Sequence, residues 1–153
     1  LNENLTGKFV TIVGQYRSYD LRQKGENMKL ILSVFARNIE FLEDSSQVDV
    51  KLNNIVHMIG YVCKKPIYRE TPLGKRITDL HIAVKRSYGK SDYIPCICWG
   101  RNARFAAGFE VGSHVQIWGR IQSREYVKKL SETEVEQRVA YEVSVSKIEF
   151  LES

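Results

Sequence analysis

The chain has 153 residues, 43% hydrophobic and 27% charged, a balance that suits one globular domain or one and a half small ones and excludes a disordered polypeptide. No apolar run approaches the about 20 residues that cross a bilayer, and the N-terminus carries no signal-peptide pattern. The net charge of +5 is uneven: residues 1–51 hold seven Lys/Arg and seven Asp/Glu, and residues 52–153 hold 16 and 11, so the basic excess, which suits a polyanionic partner, lies in the later part.

Residues 5–16 alternate and are rich in β-branched side chains, which predicts a strand. Asp20–Asn27 is polar and contains Gly25, a predicted hairpin loop. Lys29–Phe41 returns as a second strand. Glu43–Lys51 is acidic and polar and predicts a linker, with the boundary near residue 50. Ile55–Cys63 reads as a strand in which Gly60 predicts a bulge or sharp bend. Lys64–Lys75, with Pro66, Pro72 and Gly74, reads as a loop. Ile77–Lys85 and Tyr93–Trp99 are the next strands, joined by a turn over Ser87–Ser91. Gly100 ends the second of these, and Asn102 is the expected N-cap of a short helix over Ala103–Phe109, with Phe105 and Phe109 at i, i+4. Val115–Ile121 and Val139–Leu151 are the last strands, separated by a long charged loop over Lys128–Arg138. The order β-β-β-α-β-β over residues 53–153 predicts an all-β fold with one short helix, the five-stranded Greek-key barrel of the OB-fold.

One phrase occurs twice. Residues 39–43 and 148–152 both read Ile-Glu-Phe-Leu-Glu, and Gly7–Gly14 matches Gly112–Gly119 with its two glycines seven apart in each copy. Ser18 falls on Ser123, and Asp20 on Glu125. Self-similarity over a strand pair marks a duplicated module. The second copy is preceded by Asn53–Val111; the first has almost nothing before it. The expected division is therefore a partial OB domain over 1–44 holding strands four and five only, a linker over 45–52, and a complete OB domain over 53–153. The chain opens Leu1-Asn2-Glu3 without an initiator Met, so an excised piece is expected. An isolated two-stranded hairpin is marginally stable and would expose Val10, Ile12, Leu30 and Leu32. The strand pair is expected to pack on the complete module or on another protomer.

The residues that could do chemistry are few. Cys63, Cys96 and Cys98 are odd in number and widely spaced, which argues for reduced thiols, and Cys96 and Cys98 alternate onto one face of an apolar strand as small core residues. His57, His81 and His114 lie on separate strands, so no four-ligand metal set is indicated. Neither a nucleophile–histidine motif nor a Gly-x-x-x-x-Gly-Lys-Ser/Thr phosphate loop occurs. Binding rather than catalysis is expected, with no metal and no cofactor. Aromatic and basic residues do interleave near strand ends: Lys85, Arg86, Tyr88, Lys90 and Tyr93; then Trp99, Arg101 and Arg104; then Arg120, Arg124, Tyr126, Lys128 and Lys129. Tyr88 and Tyr93 also fit ordinary turn positions, and Trp99 and Trp118 fit a core or an interface. Taken together they suit unpaired nucleic acid, where aromatic faces stack on bases and cations meet phosphates.

Tyr93-Ile94-Pro95-Cys96-Ile97-Cys98-Trp99-Gly100-Arg101-Asn102-Ala103-Arg104-Phe105-Ala106-Ala107, then Val111-Gly112-Ser113 and Gly119–Arg124, resemble the strand three, Ala-rich helix and strand four of the bacterial-type single-stranded DNA-binding (SSB) protein family. Tyr68–Lys75 resembles that family's loop after strand one, and the resemblance covers residues 53–153. It implies stacking on DNA by Tyr88, Tyr93, Trp99 and Tyr126. It implies phosphate contacts from among Lys64, Arg69, Lys85, Arg86, Arg101, Arg120 and Arg124. It further implies sequence-tolerant protection of exposed single strands in replication, recombination or repair, in a bacterial cytoplasm at the nucleoid, by a homo-oligomer (dimer or tetramer). Some members carry two OB domains per chain. Three departures stand out. Ile94 replaces the common His, with Pro95 after it predicting an edge or bulged strand. Trp118 stands where the family often has an acidic or small residue, a position suited to an interface. The chain stops at Ser153 without the family's acidic, hydrophobic tip, so recruitment through such a tip is not expected. The alternative is an OB-fold protein–protein module of a primosome-type assembly.

Overall fold

The computed structural model describes residues 6–22 and 28–151. β1 (Phe9–Arg22) and β2 (Met28–Leu42) form an antiparallel hairpin. Asp20–Arg22, predicted as loop, continues β1; residues 23–27 of that loop and Leu5 of the predicted first strand lie outside the described residues. The segment predicted as a linker holds two 3-10 turns, Ser45–Gln47 and Val50–Leu52, capped by the carboxylates of Asp44 and Asp49.

The remaining elements are β3 (Val56–Val62), β4 (Ile67–Glu70), β5 (Arg76–Lys85), β6 (Ser91–Trp99), α1 (Gly100–Ala107), β7 (His114–Lys129) and β8 (Val135–Phe150). They pair in the order β3-β7-β8-β6-β5-β4, and β3 also meets β5 through Tyr61 and Val62. That contact closes a five-stranded barrel, the expected OB-fold architecture, with β4 outside it. Strict alternation builds the core: Val56, Met58 and Val62 from β3, Leu80 and Ile82 from β5, Ile94, Cys96 and Cys98 from β6, Val115 and Ile117 from β7, and Val143 and Ile148 from β8 are buried. Each fully buried aliphatic of this set contributes about 1.5–3 kcal/mol. α1 closes one end through Ala103 and Ala106, and the buried Thr78 hydroxyl donates to the Ala103 carbonyl at 2.6 Å.

Several local expectations need correction. Lys64–Lys75 is not all loop, since β4 pairs with Arg76–Asp79. Its four exposed residues show no alternation that sequence could reveal. Lys128–Arg138 is largely strand. β7 and β8 run past the barrel as a long arm to Lys129 and Val135, and its charges are those of a ribbon solvated on its polar face. α1 begins at Gly100, not at Ala103, and Asn102 is no N-cap: its amide donates to the Ser146 carbonyl at 3.2 Å. Gly60 marks no bulge. A Cβ there would stand 2.5 Å from the Ala83 carbonyl oxygen, and the residue sits where β3 passes from β7 to β5.

The duplication extends to the register. β1 and β2 pair Val10 with Phe41, Gly14 with Ala36 and Ser18 with Leu32; β7 and β8 pair Val115 with Phe150, Gly119 with Val145 and Ser123 with Tyr141. The register shift falls at Val13/Gly14 in one copy and at Trp118/Gly119 in the other. Both glycines are there for one reason: a Cβ on Gly14 would lie 2.4 Å from the Phe35 carbonyl oxygen, and one on Gly119 would lie 2.2 Å from that of Ser144. Burial separates the copies. Ile117 is 0% exposed in the barrel, whereas its counterpart Ile12 is 47% exposed.

The hairpin packs on the barrel. Among the described residues, β6 pairs with β8 through Cys96 and Ile97 alone. Ahead of them, at Pro95, that edge of β6 is open as Pro95 predicts, and the β5–β6 register is unbroken, so no bulge forms. β1 lies against the open edge. The Tyr93 amide donates to Ser18 Oγ at 2.6 Å, the Ser18 amide donates to Asp92 Oδ1 at 2.8 Å, and Arg86 Nη2 donates to the Ser18 carbonyl at 3.1 Å. Tyr16 and Leu32 pack against the barrel core. Burial, with a smaller contribution from Cys96, pushes the Tyr16 phenol up to about 12.

Candidate nucleic-acid interface

Because neighbours in a sheet share a face, the inward set of β6 (Asp92, Ile94, Cys96, Cys98) leaves Tyr93, Pro95, Ile97 and Trp99 facing out. Tyr93 is 48% and Trp99 39% exposed. They bracket Ile97, which is buried. Six residues of strand separate them by about 20 Å. Tyr93 pairs with Ala83, which pairs with Tyr61 on β3, so a small residue lies between two rings. Trp99 pairs with Ile77, and Ile77 with Arg69 of β4. Between these two rows runs a third: Arg120, Ser144, Ile97, Asp79 and Ile67, crossing β7, β8, β6, β5 and β4.

The other two predicted stacking residues flank this surface. Tyr88 is at the tip of the β5–β6 turn, 63% exposed, beside Gly89 at φ +89°. Gly89 closes the turn with its amide on the Arg86 carbonyl, while the Arg86 amide reaches the Lys90 carbonyl at 2.7 Å. Tyr126 is 37% exposed on the arm. It shares a strand face with Arg120 and Arg124, so the outward face of the barrel continues along β7.

The seven predicted phosphate contacts are not equivalent. Lys64, Arg101 and Arg120 are exposed, and no ion pair holds them among the described residues. Lys85 Nζ sits 5.3 Å from the Tyr61 ring centroid, a cation–π contact at the same surface. Arg69 pairs with Asp79 at 3.3 Å and Arg124 with the buried Glu142 at 2.5 Å; both guanidiniums stay nearly half exposed. Arg86 departs from the expectation. Its Nε and Nη2 reach the two carboxylate oxygens of Asp92 at 2.9 and 2.5 Å, and its side chain is only 15% exposed. Burial works to raise the Asp92 carboxyl, but hydrogen bonds from Arg86 and the Ser18 amide, with the guanidinium charge, hold it below the ordinary carboxylate range. Arg86 therefore fastens the hairpin and is withdrawn from the surface.

One feature escaped the sequence. Tyr61 stacks on His114, with centroids 4.4 Å apart and planes 12° from parallel, in line with Tyr93. Its outward alternation with Ile59 was a signal, but its alignment with Tyr93 needs the β3–β5 register. Trp118 stacks on His57 at 5.1 Å under Lys147, 4.7 Å away, farther round the barrel. His81, on the outward face of β5, is lowered by burial and by Lys64, against a smaller opposing effect of Asp79. The buried Cys98 thiol is pushed up to about 12 by burial and by Asp79, and Cys96 is raised well above its ordinary value, first by burial. Both are core residues, as the alternation predicts.

The model of the single-strand binding protein family matches residues 53–151. Single-stranded DNA-binding protein A of Bacillus subtilis is 34% identical over 109 residues, covering 66% of this chain and 60% of that protein. Single-stranded DNA-binding protein 2 of Listeria innocua is 31% identical over 106 residues, covering 65% and 64%. The chain thus spans about three fifths of the length of these relatives. The crystal structure of the wild-type single-stranded DNA binding protein from Thermus aquaticus superposes with a TM-score of 0.75 at 20% identity, over 96% of this chain and 61% of that one, and a deletion mutant of it superposes with a TM-score of 0.76. At that identity the likeness concerns the fold.

Proposed function

The chain belongs to the single-strand binding protein family, and from that premise we propose that it binds single-stranded DNA, with little regard to sequence, on the outward face of β4, β5 and β6 and along the arm. The observation that carries this reading is the pair of half-exposed rings, Tyr93 and Trp99, held on one face of one strand. A rigid strand fixes their spacing, and rings of that exposure stack on bases of any identity. Tyr88 and Tyr126 extend the path at either side. Lys64, Lys85, Arg101 and Arg120 meet phosphates directly, and Arg69 and Arg124 do so from the exposed part of their ion pairs. The role is protection of exposed single strands in replication, recombination or repair, at the bacterial nucleoid, by a homo-oligomer.

Residues 1–44 are, in this reading, the closing strand pair of a second OB module, joined by a linker over 45–52 to the complete module. The matched register, the matched glycines and the exposure of Ile12, the counterpart of the buried Ile117, support it. A titration tests the binding reading. Oligo(dT) and a blunt duplex of equal length are added to the chain at low and moderate salt while tryptophan fluorescence is followed. Quenching by the single strand alone is expected; equal response to both, or to neither, would sink the reading.

A further inference from the structure

We propose that His81 and Lys64 form a phosphate seat between Tyr93 and Trp99, and that filling the seat takes up one proton from solution, so that the grip on single-stranded DNA tightens in mild acid. This rests on the strand-binding reading and names a contact within it. His81 belongs to the outward set of β5, with Asp79 and Ala83, because Leu80 and Ile82 point into the core. It pairs with Pro95, which stands on the outward face of β6 two residues from Tyr93 and four from Trp99, about 7 and 13 Å along the strand. The His81 carbonyl turns away from β6 toward β3, where it accepts the Cys63 amide at 3.0 Å and the Cys63 thiol at 3.3 Å. His81 and Pro95 are thus a non-hydrogen-bonded pair, the kind whose side chains stand closest, and the missing N–H of Pro95 leaves no gap in the ladder.

The charges around the imidazole leave an anion missing. The contact with Cys63 brings the next residue, Lys64, to the ring, and its charge, after burial, holds His81 below the ordinary imidazole range. Lys64 is exposed and has no ion pair among the described residues. Asp79, on the same strand face, opposes it weakly, because Arg69 of β4 engages that carboxylate at 3.3 Å. β3 adds the Cys63 thiol, raised by burial, and Tyr61 with Lys85 over its ring; β6 adds the Tyr93 phenol. Among the described residues no protein group hydrogen-bonds the imidazole, and neither ring nitrogen is buried without a partner, so both are open on the face. An imidazolium beside an ammonium, with the neighbouring carboxylate already paired, suits a phosphate. A base edge would be served as well by the neutral ring.

The direction of the effect follows from these groups. In the free protein, burial and Lys64 oppose the charged ring, so His81 gains its proton only in acid solution. A phosphate between the two cations offsets both and favours the imidazolium. His81 therefore titrates higher in the complex than in the free protein. Affinity rises as the pH falls through the value in the complex and levels off below the value in the free protein. A separation of one pH unit corresponds to about tenfold in affinity, and the added phosphate contact steepens the salt slope by about 0.7.

The test measures oligo(dT) affinity of the full chain at about pH 8 and about pH 5.5, a window in which imidazole titrates. NMR follows the His81 ring resonances across the same window with and without oligo(dT). The wild type is expected to bind about tenfold tighter at the lower pH, with the His81 titration moved upward by oligo(dT). His81→Gln is expected to lose the gain, and His81→Lys to bind alike at both pH values. Binding by the wild type that is equal at both, a gain that survives His81→Gln and so belongs to His57 or His114, or a His81 titration that oligo(dT) leaves in place overturns the seat while strand binding stands. No binding at either pH sinks the strand-binding reading, and the seat with it.

Discussion

The seven cations that the sequence groups together separate in the structure, and salt dependence reads the separation. Lys64, Lys85, Arg101 and Arg120 face solvent with no ion pair among the described residues, whereas Arg86 is bound through two of its nitrogens to Asp92. Each phosphate neutralised on a single strand contributes about −0.7 to the slope of log K against log salt. The four available cations alone then give a slope of about −3, and raising salt from roughly 50 to 200 mM weakens binding about 50-fold. Arg120→Ala or Arg101→Ala should bring the slope to about −2 and that loss to about 20-fold. Arg86→Ala should leave the slope unchanged while lowering the urea midpoint, because it strands a buried carboxylate and frees the Ser18 carbonyl. The assay is an oligo(dT) titration at four salt concentrations, with urea denaturation of each variant in parallel. A slope that flattens in Arg86→Ala at unchanged stability, with Arg101→Ala and Arg120→Ala like wild type, would refute this sorting of the cations.

Other consequences concern the scaffold. Ser18→Ala leaves the part-buried Tyr93 amide without its acceptor, at a cost of about 1 kcal/mol, and native-state hydrogen exchange should show that amide losing protection before the barrel strands. Asp92 has a folded pKa below its unfolded value, so its contribution is present above about pH 4 and is lost as the pH falls through the depressed folded value. Protection of the Tyr93 amide should therefore hold from pH 7 to about pH 4 and fail as the pH falls further. Gly119→Ala forces backbone against backbone at 2.2 Å and should lower stability in urea by about 1–3 kcal/mol; Gly108→Ala, whose nearest contact would be at 3.7 Å, should move it by no more than about 0.5 kcal/mol. Cys96 and Cys98, with raised thiol pKa values, should resist a thiol reagent at pH 8 until the chain is unfolded.

What could be read in the sequence was whatever local pattern carries. Alternation located β5 and β6, the repeated Ile-Glu-Phe-Leu-Glu exposed the duplication, and Tyr93 and Trp99 stood out because both project outward from a strand whose other face is core. The failures share a cause. β4 has four exposed residues and no apolar rhythm. The arm beyond Ile121 loses its inward-facing partner and so loses the burial pattern that marks a strand. Arg86 looked like a surface cation because Ser18 is 68 positions away, and only the docked hairpin explains the burial of Asp92. Tyr61 joins the surface through register, which composition does not record.

The account stands most directly on Tyr93 and Trp99. Affinity for oligo(dT) should be measured at one salt concentration for Tyr93→Ala and Trp99→Ala beside wild type. Stacking predicts a loss of about 1–3 kcal/mol for each, roughly 5- to 150-fold in affinity, with urea stability little changed because neither ring is core. Both variants binding as wild type would place the strand on another face of the barrel and contradict the account.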